Sequence, residues 1–168
     1  ASLAQARSMD GYTTGEVTAT IEDTRVSDLL GSTPLLDAND NNAFTITIGT
    51  ADAEITAANL NSLNDLTSVA IEAGNVTQIT GTVAVTNSTY AAGANSQING
   101  LGNEDVVISG ESSNTLSDAS TLNTLDGYTT GTVNAGSLTT IQGDLSDLLT
   151  AYASNGITGL GNEAITLD

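Results

Sequence analysis

The chain has 168 residues, room for one domain or one short repeat array, and sets 20 carboxylates against two arginines with no Lys, His or Cys. Its net charge of −18 argues against nucleic acid and anionic membrane surfaces as partners, and no apolar stretch is long enough for membrane insertion. Ser–His–Asp, Cys–His and Ser–Lys nucleophiles, disulfides and thiolate metal sites are all impossible with this composition.

In chain order, the first helical pattern turns Ala6 and Met9 inward. An extended segment over 16–21 follows, and then Phe44-Thr45-Ile46-Thr47-Ile48, which alternates as a half-buried strand should. A second helix turns Leu60 and Leu63 inward, and extended segments follow at 69–71, 76–79 and 105–109. A third helix starts at Ser117 or Asp118 with Leu122 and Leu125 inward, before extended segments at 132–133 and 138–141. The clearest helix has Asp144 as N-cap, Leu145, Leu148, Leu149 and Tyr152 on one face, and Asn155-Gly156 as its stop. The chain ends on an extended segment over 164–168.

Several of these pieces recur. Asp10-Gly11-Tyr12-Thr13-Thr14-Gly15 returns letter for letter as Asp126-Gly127-Tyr128-Thr129-Thr130-Gly131. Ser27-Asp28-Leu29-Leu30 returns at Ser146-Asp147-Leu148-Leu149, and Gly100-Leu101-Gly102-Asn103-Glu104 at Gly159-Leu160-Gly161-Asn162-Glu163. The segment 73–81 (AGNVTQITG) matches 135–143 (AGSLTTIQG) in part. Matches in the same order define three repeat units, 1–54, 55–114 and 115–168, each with two halves spaced by about thirty residues, a step within the range of stacked repeats. A strand and a short helix repeated in this way predict a mainly β fold with short helices, a repeat β-solenoid with parallel stacked strands. Tandem β-sandwich domains are the alternative; they account for the Thr/Val alternation but not for the helical halves.

The remaining catalytic route is a glycosidase-type carboxylate pair, and four Tyr and one Phe are poor material for a sugar platform. The chain therefore reads as no enzyme, with no catalytic residues. Cation binding is the better chemistry. Asp37-Ala38-Asn39-Asp40-Asn41-Asn42 carries D-x-N-x-N, the opening of an oxygen-rich calcium loop, and nominates Asp37, Asn39, Asp40 and Asn41 as calcium ligands. The sixth place is Asn42 where Gly is usual, and the twelfth is Ile48 where a bidentate Glu belongs, so an Asx-rich turn competes with this reading. The Gly-Leu-Gly-Asn-Glu and Asp-Gly-Tyr-Thr-Thr-Gly copies read as corners, with Gly supplying positive φ. Two sequons, Asn75-Val76-Thr77 and Asn87-Ser88-Thr89, permit glycosylation.

Segments such as Leu122-Asn123-Thr124-Leu125-Asp126, Val133-Asn134-Ala135 and the run from Ile157 to Leu167 resemble the Asp/Thr/Asn-rich repeats of very large secreted or cell-surface proteins of marine cyanobacteria and related bacteria. Those proteins are loosely grouped with hemolysin-type calcium-binding repeats, although the G-G-x-G-x-D nonapeptide of that group is absent here. The resemblance implies an extracellular structural or adhesive protein. A chain with no trypsin-type cleavage site after Arg25 suits that location. The expected partner is the chain itself, in a head-to-tail or strand-mediated homopolymer, or adjoining repeats in a layer, fibre or filament. The competing expectation is a calcium-stiffened adhesin that grips a glycan or surface.

Overall fold

Buried β-branched residues stand side by side in this molecule: Ile55 beside Ile79, then Val106, Val133 and Ile157, each paired with the one 24 or 27 positions further on. The computed structural model describes residues 1–21, 25–31 and 42–168. Within it the row of aliphatic side chains is the spine of a five-stranded sheet formed by β3 (Glu54–Thr56), β5 (Gln78–Gly81), β7 (Asp105–Ile108), β9 (Val133–Asn134) and β11 (Ile157–Thr158). Smaller sheets flank it. The strands β1 (Thr18–Ile21) and β2 (Ala43–Ile46) make one, β4 (Ile71–Glu72) and β6 (Ile98–Asn99) a second, and β8 (Thr115–Leu116), β10 (Thr140–Gly143) and β12 (Ala164–Leu167) a third. Among the described residues every strand pairing is parallel.

Parallel neighbours require crossovers, and here the crossovers carry helices. They are α1 (Leu3–Asp10), α2 (Val26–Leu29), α3 (Ala57–Asn64), α4 (Val83–Ala94), α5 (Ala119–Asp126) and α6 (Leu145–Ala153). In α3, α4 and α5 the first, fourth and seventh residues are buried: Ala57, Leu60 and Leu63, then Val83, Thr86 and Thr89, then Ala119, Leu122 and Leu125. That spacing keeps one face of each helix on the sheets. Thr56, Thr82 and Asp118 cap the N-termini of these three helices by accepting backbone N–H groups of the first turn. Asp144 stands at the N-cap of α6, but its side chain caps nothing.

The expectation of a mainly β solenoid is overturned, and so is its β-sandwich alternative. Helix makes up 35% of the described residues against 25% strand, and parallel strands alternate with helices in a Rossmann-like α/β arrangement. The misreading has a physical source in α4, Val83-Ala84-Val85-Thr86-Asn87-Ser88-Thr89-Tyr90, whose β-branched residues favour strands on propensity alone. Burial reverses the preference. The Thr86 and Thr89 hydroxyls bond back to the carbonyls of Thr82 and Val85 four residues earlier, so both side chains enter the core without an unpaired donor. A sandwich requires antiparallel sheets, which the pairings exclude. The five-stranded sheet runs in strict sequential order, so it has no point of strand-order reversal and none of the crevice that doubly wound folds place there.

The tiers do not stack uniformly. The matched segments 73–81 and 135–143 occupy different places: the first runs from β4 into β5, the second from β9 into β10. Strand β7 absorbs the slip, pairing with β5 on one edge and β9 on the other, while among the described residues β6 pairs only with β4 and β8 only with β10.

Candidate functional site

Two of the segments that recur letter for letter meet each other inside the molecule. Gly100-Leu101-Gly102-Asn103-Glu104 forms a tight turn in which Gly100 (φ +86°) and Gly102 (φ +130°) take the left-handed values that favour glycine. The turn lets the Gly102 N–H reach the Glu104 carboxyl at 2.9 Å. Tyr90, the eighth residue of α4, donates its hydroxyl to the same carboxyl at 2.9 Å, and both side chains are buried. Burial, reinforced by Glu104, pushes the Tyr90 phenol well above its ordinary range.

Asp126-Gly127-Tyr128-Thr129-Thr130-Gly131 then closes over this turn. The Thr129 hydroxyl donates to the Glu104 carbonyl at 2.7 Å, and the Thr130 N–H donates to the Gly102 carbonyl at 2.9 Å. The Tyr128 ring stacks on Tyr90 with centroids 5.7 Å apart and planes 6° from parallel. At Gly131 a Cβ would collide with the Glu104 carbonyl, so only glycine permits the approach. Close approach, not positive φ, is what this segment asks of Gly131, which is absent from the positive-φ residues, and Gly127 has φ −70°.

Each half of this junction has a second copy without a mate. At the C-terminal end, Gly159 (φ +82°) and Gly161 (φ +136°) reproduce the turn, and the Gly161 N–H donates to the Glu163 carboxyl at 2.8 Å. Tyr152, again the eighth residue of its helix, donates its hydroxyl to Glu163. Partial burial and then Glu163 push the Tyr152 phenol up to about 12. Burial alone would raise the Glu163 carboxyl, but the Tyr152 hydroxyl and the N–H groups of the turn hold it below the usual carboxylate range. Among the described residues no ring stacks on Tyr152, which is 42% exposed. At the N-terminal end, the Gly15 N–H donates to the Thr13 hydroxyl oxygen at 3.0 Å, as Gly131 does to Thr129 at 3.0 Å. Asp10 accepts from the Asn42 amide as Asp126 accepts from the Ser154 hydroxyl, so this copy is held in the same way. Its Tyr12 is 84% exposed.

The helix layer ends in the same fashion. The fifth residue is Asn61 in α3, Asn87 in α4 and Asn123 in α5, and each amide donates to a carbonyl of the next helix, at Val85, Thr121 and Asp147. In α6 the fifth residue is Leu149, and it is 61% exposed. The sequence pattern placed Leu145, Leu148, Leu149 and Tyr152 together on a buried face. Only Leu148 is buried there, along with Ala151, and among the described residues no further helix covers α6. Met9 was expected inward and is likewise 55% exposed, at the place where α5 buries Leu125. Strands β11 and β12 end their sheets, and Ile165 and Leu167 lie open on β12.

The calcium candidates Asp37, Asn39, Asp40 and Asn41 lie outside the described residues. Their neighbour Asn42 is buried, donating its amide to Asp10 and accepting the Val17 N–H, a clamp between tiers. Among the described residues no group of three or more carboxylates is placed to hold a metal ion. A groove of about 320 Å³ beside α2 includes Asp52 and Glu54 but no aromatic residue, and Asp52 accepts the Val26 N–H there. Both sequon asparagines are engaged between tiers, Asn75 with the Ile48 carbonyl and Asn87 with α5. Sequence reasoning missed the tyrosine–glutamate pairs. Their signal was present, since a Tyr precedes each Gly-Leu-Gly-Asn-Glu glutamate by 14 or 11 residues. No protein-family model, curated protein or solved structure matches this chain.

Proposed function

We propose that the chain is a non-catalytic, extracellular structural repeat protein that associates with itself into an extended assembly. The observation that carries this reading is the apolar face of α6 and β12, where Leu145, Leu149, Tyr152, Ile165 and Leu167 are exposed beside the edges of β11 and β12, which have no further strand partner among the described residues. Stacked repeat proteins need polar outer faces at their ends to remain apart, and open strand edges recruit further strands. The composition supports the same reading, because it lacks His, Cys and Lys and leaves few familiar catalytic routes. High ionic strength, which shortens the screening length to a few ångströms, allows chains of charge −18 to approach one another.

Sedimentation of the whole chain from micromolar to millimolar concentration in about 0.5 M NaCl, where the Debye length is roughly 4–5 Å, tests the reading. Assemblies that grow with concentration are the expected result. A single monomeric species throughout would overturn it.

A further inference from the structure

We infer that the partner of the C-terminal face is the N-terminal tier of a second copy, held through the same lock that operates inside the chain. This rests on the self-association proposed above and names its two surfaces. Inside the molecule, Gly100-Leu101-Gly102-Asn103-Glu104 is covered by Asp126-Gly127-Tyr128-Thr129-Thr130-Gly131 through the Tyr90–Tyr128 stack and the Thr129 and Thr130 bonds. Among the described residues the identical turn at 159–163 is uncovered, with Tyr152 42% exposed, and the identical cover at 10–15 is packed against no such turn, with Tyr12 84% exposed. Both are already in the bound shape: the glycine φ values of the two turns agree within about 6°, and the Thr13 and Thr129 contacts have the same length. Preformed surfaces lose little conformational entropy on docking.

Carried across two copies, the lock sets the Tyr12 ring on Tyr152, the Thr13 hydroxyl on the Glu163 carbonyl and the Thr14 N–H on the Gly161 carbonyl. Gly15 then lies against Glu163 as Gly131 lies against Glu104. Helix α1 comes to rest on α6, as α3 packs on α2 and α5 on α4, and Met9 and Leu149 lose their exposure together. Leu30, which matches Leu149 in the repeated Ser-Asp-Leu-Leu, is already packed against the core within the stack. Charge does not drive this contact. The first 25 residues set both arginines against four carboxylates, and residues 144–168 carry four carboxylates and no cation. The two ends therefore repel, though less than two C-terminal faces would. A contact between different surfaces of identical copies propagates, so the product is an open polar chain and not a closed dimer.

Two variants, each altering one end, test the inference. Gly15→Ala is tolerated in the free chain, where the new Cβ meets only the Thr13 hydroxyl at 3.3 Å. In the lock it strikes the Glu163 carbonyl. Tyr152→Ala removes the stacking surface at the other end, and Leu149→Glu serves as a second tail variant at an exposed site. Circular dichroism first establishes that all three are folded. Sedimentation in about 0.5 M NaCl is then expected to show each variant associating at least about 30-fold more weakly than the parent, the loss of an interface hot spot. An equimolar mixture of Gly15→Ala and Tyr152→Ala retains one good head and one good tail, so it is expected to form dimers and stop. If the parent associates and Gly15→Ala associates equally well, the head-to-tail lock is wrong while self-association stands. If the parent stays monomeric, the reading beneath it falls as well.

Discussion

Glu104 and Glu163 close the same five-residue turn, accept the same glycine N–H and receive a hydroxyl from the eighth residue of the preceding helix, yet one is sealed and the other stands at the surface. The difference lies wholly in what comes next in the stack. Glu104 lies beneath the segment that closes with Gly131, whereas among the described residues no such segment covers the half-buried Glu163. Local chemistry thus builds the turn, and the neighbouring tier decides how much energy it holds. A buried polar pair is costly to break because its partner is left unpaired away from water, whereas an exposed pair returns to solvent.

The contrast can be broken most forcefully at the glycines. Gly131→Ala places a Cβ against backbone and is expected to destabilise the chain by about 4 kcal/mol or to prevent folding. Gly15→Ala, in the same motif, is expected to change monomer stability by less than about 0.5 kcal/mol in urea titration. Next in size, Glu104→Ala is expected to cost about 3 kcal/mol, since it strands the Tyr90 hydroxyl and the Gly102 N–H, and Glu163→Ala less than about 1 kcal/mol. Equal losses at the two glutamates would erase the distinction between sealed and open turns.

Tyrosine titration sharpens the comparison. Ultraviolet absorbance is expected to follow Tyr152 ionising near 12, and Glu163→Gln should lower that midpoint by the part Glu163 contributes while the larger part, due to burial, remains. The folded phenol is raised above its unfolded value, so its contribution to stability is intact below pH 10 and is lost as pH rises from 10 through 12. Tyr90 is expected to remain protonated beyond that range for as long as the fold persists. The smallest effect belongs to Asp105. Its exposed carboxyl is held below 3.8 by the backbone N–H and hydroxyl of Thr132. A depressed carboxyl stabilises above its unfolded value and stops doing so as pH falls through its folded one. The stability gap between the parent and Asp105→Asn should therefore be present at pH 5 and vanish below the folded value, as measured by melting across the acid range.

Much of this arrangement was legible in the sequence, for reasons tied to particular residues. The inward leucines of α3 and α5 stood out because their spacing follows the helical period, and β7, β10 and β12 because they combine β-branched residues with turn signals. Helix α4 did not stand out, because Val83, Val85, Thr86 and Thr89 argue locally for a strand and only the covering tiers make them helical. The exposure of Leu149 and Tyr152 was hidden for the opposite reason. Their pattern is that of a buried face, and no pattern within one helix reports whether another helix follows. The slip at β7 was beyond reach as well, since matched segments 73–81 and 135–143 invite the same placement and the strand pairings give them different ones. The calcium candidates fall outside the described residues, and the tyrosine–glutamate pairs needed the folded turn to bring them together.

The slip at β7 also has a mechanical consequence. The five-stranded sheet is one continuous ladder, whereas among the described residues no ladder joins the β4–β6 pair to the β8–β10–β12 sheet. Strand β7 is where the early and late parts of the chain share a ladder, through β5 on one edge and β9 on the other. A pull along the molecule is therefore carried across this point by the two edges of β7 together with the Thr129 and Thr130 bonds to the turn at 100–104.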